Sequence, residues 1–219
     1  GRLIVPRERS TLAECAEQAR AEGLAETPGS TFLYGASHQM ILAHVAERVT
    51  QQSWEELFTA RIQQPLGLDP EALEYANNRV AASAVGTAHT FSKIYRALGL
   101  DFGMLGPAPA EPLLLPDPLA RAFRRDYIEA NGVTIGDSPW QSIDEQVHFG
   151  LGVWIVCEDY ATDQDCIYLG SGGNGTTAWI DPVSQTAGAL VLYEGSYEGY
   201  QEGYALLRQL LPEVRQAVE

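Results

Sequence analysis

Apolar positions recur at helical spacing through the first two thirds of the chain and at strand spacing through the last third. Thr11 and Glu14 form a capping box before a face made of Leu12, Cys15, Ala16 and Ala19, and Gly23 ends that helix. Ser37 is positioned to cap a second helix whose stripe is Met40, Ile41, His44, Val45 and Val49. Ser53 and Glu56 repeat the capping box before Leu57, Phe58 and Ile62, and Pro65 stops the helix. A fourth helix is predicted near 88–98, with Phe91, Ile94, Tyr95 and Leu98 on one face and Gly99 at the C′ position. Residues 99–118, rich in Gly and Pro, read as a linker or surface loop. Asp117 then caps a helix that has Pro118 at its first position and Leu119, Phe123, Tyr127 and Ile128 on its face.

From residue 147 the pattern changes. Residues 147–157, 166–170, 176–181 and 186–195 are four strand candidates, rich in β-branched and aromatic residues and separated by turn signals. A closing helix over about 202–218 carries Ala205, Leu206, Leu210 and Val214. The order predicts an α+β protein in which a mainly helical region, 1–135, precedes an antiparallel sheet with a C-terminal helix, 136–219. A four-stranded sheet with one helix on one face leaves the other face and an edge open. The expected cover is a further part of the same fold outside these residues, or a second copy of the chain.

Composition narrows the partners. A chain of 219 residues, 45% apolar, can bury a real core. The net charge of −15 disfavours nucleic acid and anionic membrane surfaces. No window approaches the ~18 apolar residues of a membrane span, and the opening GRLIVPRERS shows no signal-peptide core. The four histidines, His38, His44, His89 and His148, lack any metal-ligand spacing, and no cofactor motif is present. The acidic stretch with Glu158, Asp159, Asp163 and Asp165 matches no calcium loop and reads as a solvated turn. It lies between Cys157 and Cys166, which flank a hairpin-like segment. Cross-strand pairing there would allow a disulfide and would favour a secreted or periplasmic location; two reduced cysteines are the alternative. Cys15 falls on a helix face and reads as core.

Five strings carry a family resemblance. Residues 27–50, TPGSTFLYGASHQMILAHVAERVT, are followed by W-E-E-L-F-T-A-R-I-Q-Q-P-L-G-L from Trp54 to Leu68, and then by N-N-R-V-A-A-S-A-V-G-T-A-H-T-F-S-K. With F-G-L-G-V-W and G-S-G-G-N-G-T-T-A-W-I-D-P further on, they resemble, in order and spacing, the serine β-lactamases, D,D-peptidases and related esterases. The resemblance implies one β-lactamase/transpeptidase-like domain made of both regions. It also implies a serine hydrolase that opens small ester, amide or lactam substrates through an acyl-serine, with no cofactor.

By that resemblance Tyr34 is the tyrosine of the Y-x-N motif, a base once a lysine cation stabilises its phenolate. Ala36 stands where the motif has Asn. Gly170, Ser171, Gly172, Gly173 and Asn174 fall where the family places K-T-G or H-x-G, a strand that supplies an oxyanion-hole N–H and substrate contacts. Gly170 takes the first position in place of Lys or His, which weakens the implication of carboxylate-bearing, penicillin-like substrates. The family nucleophile, a Ser followed three residues later by Lys, is absent: the one lysine is Lys93, preceded at that spacing by Thr90. About thirty residues precede Tyr34, too few for the nucleophile helix. The nucleophile is therefore expected outside this chain; the alternative is an inactive truncated homologue that serves as a binding or structural module.

Overall fold

A computed structural model describes residues 11–24, 26–75, 80–81, 84–128, 131–136, 138, 148–160, 165–173, 175–192 and 199–218. The helices are α1 (Leu12–Glu22), α2 (Ser37–Thr50), α3 (Trp54–Phe58), α4 (Ala88–Asp101), α5 (Asp117–Arg124) and α6 (Gly199–Val218). The strands are β1 (Thr31–Phe32), β2 (Leu73–Tyr75), β3 (Ala84–Gly86), β4 (Thr134–Ile135), β5 (Trp154–Val156), β6 (Ile167–Ser171), β7 (Thr177–Asp181) and β8 (Thr186–Leu190). The chain divides into two compact parts, 1–86 with 133–137, and 87–132 with 138–219.

The first part is built on capped helices. Thr11 and Glu14 close the capping box of α1, and Ser53 and Glu56 close that of α3. Leu12 and Cys15 of α1 meet Met40 and Ala43 of α2, with Ala81 completing the cluster and Trp54 and Val80 at its border. Ser37 does not cap α2: the N-cap is Ala36, which makes no side-chain cap bond, and Ser37 is already helical. The predicted stripe of α2 is also corrected. Met40 is buried, but Ile41, Val45 and Val49 are exposed, and the inward direction runs through Met40 and Ala43. Helix α3 continues as a π-helical stretch over Thr59–Gln63. Buried Gln63 then donates to the carbonyls of Pro70 and Leu73, each at 3.1 Å, and so ties this turn to the start of β2. β2 pairs antiparallel with β3, and β1 pairs parallel with β4. Neither two-stranded ladder carries a sequence signal long enough to predict.

The second part holds a four-stranded antiparallel sheet in the order β5-β6-β7-β8. Its faces follow from the strand period of two. Ile180 packs against α4 at Gly99, and Gly170 meets Tyr95 of the same helix. Thr177, three positions from Ile180 and hence on the opposite face, packs against Gly203 of α6. The face expected to be open is therefore covered by α4. Gly99 is not a helix stop, because α4 runs on to Asp101. A Cβ at Gly99 would come within 2.6 Å of Leu105 and 3.1 Å of Ile180, so glycine permits close helix–sheet packing.

Residues 99–118 are no free linker. Phe102 and Met104 join Phe123, Val153 and Ile180 in the core, and the buried Asp101 carboxylate accepts the N–H groups of Leu113, Leu114 and Leu115 at 2.6–2.9 Å. Asp117 is the first residue of α5, whose N-cap is Pro116. The apolar run 147–157 is not one strand among its described residues, 148–157. It folds back at Gly150–Gly152, Gly150 donating to Val153 O at 2.9 Å, so that Phe149 bridges to Trp154. Beyond the Val156–Ile167 pair, Cys157 and Cys166 are joined by a disulfide.

Candidate functional site

In the second part the candidate residues gather where β6 turns into β7. Gly172 N–H donates to Thr176 O at 2.7 Å and Gly175 N–H to Gly172 O at 3.0 Å, which closes a tight turn. Gly175 has φ +85°, a left-handed conformation that disfavours any other residue, and a Cβ there would also come within 2.8 Å of Leu192. Gly173 packs beneath the ring of Tyr200. Its N–H makes no hydrogen bond among the described residues, so it is a backbone donor available to a ligand. Asn174 lies outside the described residues.

Gly170 and Ser171 face opposite ways. A Cβ at Gly170 would collide with the Tyr95 hydroxyl, so the phenol of α4 fills the space that a side chain at 170 would enter. Ser171 is buried on the α6 side, its hydroxyl 3.4 Å from that of Thr177. Of the predicted cluster, then, Gly170 presents backbone to the α4 side, Gly173 lies against Tyr200 of α6, and Ser171 turns its hydroxyl into the packing under α6.

Tyr34 belongs to the other compact part. It is half-buried in the short connection between β1 and α2, two residues before Ala36, the N-cap of α2. Nearby, partial burial pushes His38 below the ordinary histidine range, although the residue keeps an exposed edge, and leaves its imidazole neutral at pH 7.

Two polar constellations escaped the sequence reading. His148 Nδ1 bonds the Asp126 carboxylate, which also accepts Ile128 N–H, and the imidazole stacks on Tyr160 at 3.8 Å. The partners are 22 residues apart and form no local motif. Asp181, fully buried, accepts Arg215 Nε at 2.8 Å and Nη2 at 3.2 Å, together with Ser184 Oγ and Val183 N–H. Burial alone would raise the Asp181 pKa. The bonds from Arg215 and Ser184, the Arg215 charge and the Val183 N–H overcome this and hold it below the ordinary carboxylate range. Nothing local in the sequence marks the partner of Asp181 on α6. Among the described residues no group of three or more potential metal ligands occurs, and no helix is long and apolar enough to cross a membrane.

The Beta-lactamase family model matches residues 4–210. No curated protein matches the sequence significantly. Among solved structures, a Bacteroides dorei protein provisionally assigned as a beta-lactamase is 18% identical with a TM-score of 0.76; the match covers 98% of this chain and 68% of that one. The D-amino acid amidase of Ochrobactrum anthropi SV3, solved with L-phenylalanine amide, is 13% identical with a TM-score of 0.66, over 100% and 67% of the two chains. The octameric penicillin-binding protein homologue of Pyrococcus abyssi is 18% identical with a TM-score of 0.58, over 91% and 48%. The chain thus spans about half to two thirds of the length of these proteins, and at such identities the likeness is one of fold.

Proposed function

The chain belongs to the beta-lactamase family, and from that premise we propose that it is part of a serine hydrolase acting on small ester, amide or lactam substrates through an acyl-serine. The observation that carries the proposal is the family match over 4–210 in a chain whose β6–β7 turn offers a backbone N–H at Gly173. The serine and lysine are supplied from outside these 219 residues. Tyr34, its phenolate stabilised by that lysine, takes the proton of the serine as the hydroxyl attacks the carbonyl carbon. Within the 170–174 segment, the backbone N–H of Gly173 receives the developing oxyanion. The tetrahedral adduct collapses to the acyl-serine as the C–O or C–N bond breaks and the alcohol or amine takes the proton held by Tyr34; water then attacks the acyl carbon, releases the carboxylic acid and restores the serine.

Gly170 against the Tyr95 hydroxyl provides no cation for a substrate carboxylate, which supports neutral esters and amides over penicillin-like substrates. The Cys157–Cys166 disulfide supports an oxidising compartment. The test uses a fluorophosphonate probe and p-nitrophenyl esters. A longer product that carries an upstream Ser-x-x-Lys should label and turn over, with both lost in its Tyr34→Phe variant. Labelling without any dependence on Tyr34 would refute the assignment of Tyr34.

A second reading, a non-catalytic binding or structural module, is favoured by one observation. The only Thr/Ser–Lys pair at the right spacing cannot act as a nucleophile pair: the Thr90 hydroxyl is buried 3.0 Å from that of Thr87 while Lys93 is exposed. The 219-residue chain alone should accordingly give no burst and no covalent adduct. A protein whose intact mass equals this chain, and which still co-purifies with a ligand, would support the module.

A further inference from the structure

The second compact part has a cavity of about 320 Å³ that the hydrolase reading leaves unused. Gly103 and Met104 form one wall, Pro182, Val183 and Gln185 another, and Asp165, Cys166 and Tyr168 a third, with Arg124 at the end of α5 closing the ring. It lies at the start of β6 and the end of β7. The Gly-rich turn is at the opposite ends of the same strands, roughly 15 Å away at ~3.3 Å per residue.

The walls are fixed before any ligand arrives. Gln185 donates from Nε2 to Met104 O at 2.7 Å and to Pro182 O at 2.6 Å, and so staples two walls together. The disulfide holds Cys166, and Asp181 braces the turn behind Pro182 through Val183 N–H and Ser184 Oγ. Asp165 and Gln185 both line the cavity with positive φ, +53° and +54°, conformations that non-glycine residues keep only where surrounding structure enforces them.

Its charges are unusual. Arg124 and Asp165 line the same small space but form no ion pair with each other, and Arg124 has no other carboxylate partner among the described residues. Arg215 feels Asp165 only as a weaker, longer-range attraction and is engaged by Asp181 in two hydrogen bonds. Opposite charges that line one gap without pairing match a molecule that carries both charges itself. We propose that this cavity binds a small zwitterion, a free α-amino acid being the simplest, with Arg124 gripping the carboxylate and Asp165 the ammonium group. The planar guanidinium suits a carboxylate bidentately. Met104, Val183 and Pro182 offer an apolar surface to a short aliphatic side chain, and a volume near the lower limit for ligand pockets suits a molecule of that size.

The site is independent of the serine chemistry, and so is its test. The 219-residue protein is titrated with leucine, and with two analogues that each lack one charge, isoamylamine and 4-methylpentanoate, followed by calorimetry and by NMR shifts. Leucine should saturate, and each analogue should bind about tenfold more weakly or worse. Arg124→Gln should bind leucine no better than isoamylamine binds the parent, and Asp165→Asn no better than 4-methylpentanoate. Both side chains are exposed, so unchanged thermal unfolding will show that the variants remain folded. Absence of saturation by leucine up to about 50 mM, analogues that bind as tightly as leucine, or leucine binding unaffected in either variant would each overturn the assignment.

Discussion

Replacing Arg215 with methionine would strand a carboxylate in the interior. Asp181 is fully buried, whereas Arg215 keeps about a fifth of its side chain exposed (21%). Arg215→Met removes both guanidinium bonds and leaves Asp181 only Ser184 Oγ and Val183 N–H. Breaking a buried pair from one side costs about 3–5 kcal/mol, and the two surviving donors place this variant at the lower end, ~3 kcal/mol. Asp181→Asn should cost less, ~2 kcal/mol, because the stranded guanidinium can turn its exposed edge to water. The double variant should cost at least ~1 kcal/mol less than the sum, since either single change already destroys the shared bonds.

Urea unfolding at pH 7 reads these values as midpoint shifts at constant slope. The acid limb adds a second readout. The folded-state pKa of Asp181 is depressed, so its stabilisation is complete above the ordinary carboxylate value and disappears as pH falls through the folded value. Stability should rise with pH across that acid window, and less steeply in Asp181→Asn. An Arg215→Met variant within ~1 kcal/mol of the parent, or strictly additive single changes, would refute the view that this pair clamps α6 to the end of β7.

Other perturbations have equally definite outcomes. Gly170→Ala drives a methyl into the Tyr95 hydroxyl and should cost about 1–3 kcal/mol by urea unfolding, with the loss partly recovered in Gly170→Ala/Tyr95→Phe; an unchanged midpoint would remove Tyr95 from that place. Replacing Cys157 and Cys166 by serine opens a loop of about ten residues and should cost ~2–3 kcal/mol, seen as a melting temperature that no longer responds to reductant. Asp101→Ala leaves three N–H groups at Leu113–Leu115 without their acceptor. It should expose residues 102–116 to limited proteolysis, and a digestion pattern identical to that of the parent would argue against the anchor.

What could be read in the sequence were features that are local in the chain. The capping boxes at Thr11 and Ser53 and the strands beginning at Ile167, Thr177 and Thr186 announced themselves because cap and period act over three or four residues. The short ladders β1–β4 and β2–β3 stayed hidden, since two or three residues cannot display a period. Gly99 read as a stop because its reason for being glycine, the approach of Leu105 and Ile180, lies outside its own helix. The apolar side chains of α2 pointed to a core, yet Val45 and Val49 reach solvent, because periodicity marks a face without stating what covers it. At the site, the glycine cluster was visible as composition. That Ser171 turns toward Thr177 and that Tyr95 occupies the space beside Gly170 depended on strand parity and helix docking, neither of which a motif encodes.

The strand order of the sheet is also its chain order, and this bears on how the second part comes together. β6 and β7 are joined through residues 172–176 and β7 and β8 through 182–185, while the wider β5–β6 connection is cross-linked by the disulfide. Each pairing therefore closes only a short loop, which forms fast and with little loss of chain entropy. Helix α4 must instead return to β7 and β8 from some eighty residues upstream, and Gln185 bonds Met104 across a separation of 81. The meander with α6 is thus suited to act as an early nucleus, with α4 docking after it. Substitutions at Gly99 should accordingly accelerate unfolding more than they retard refolding.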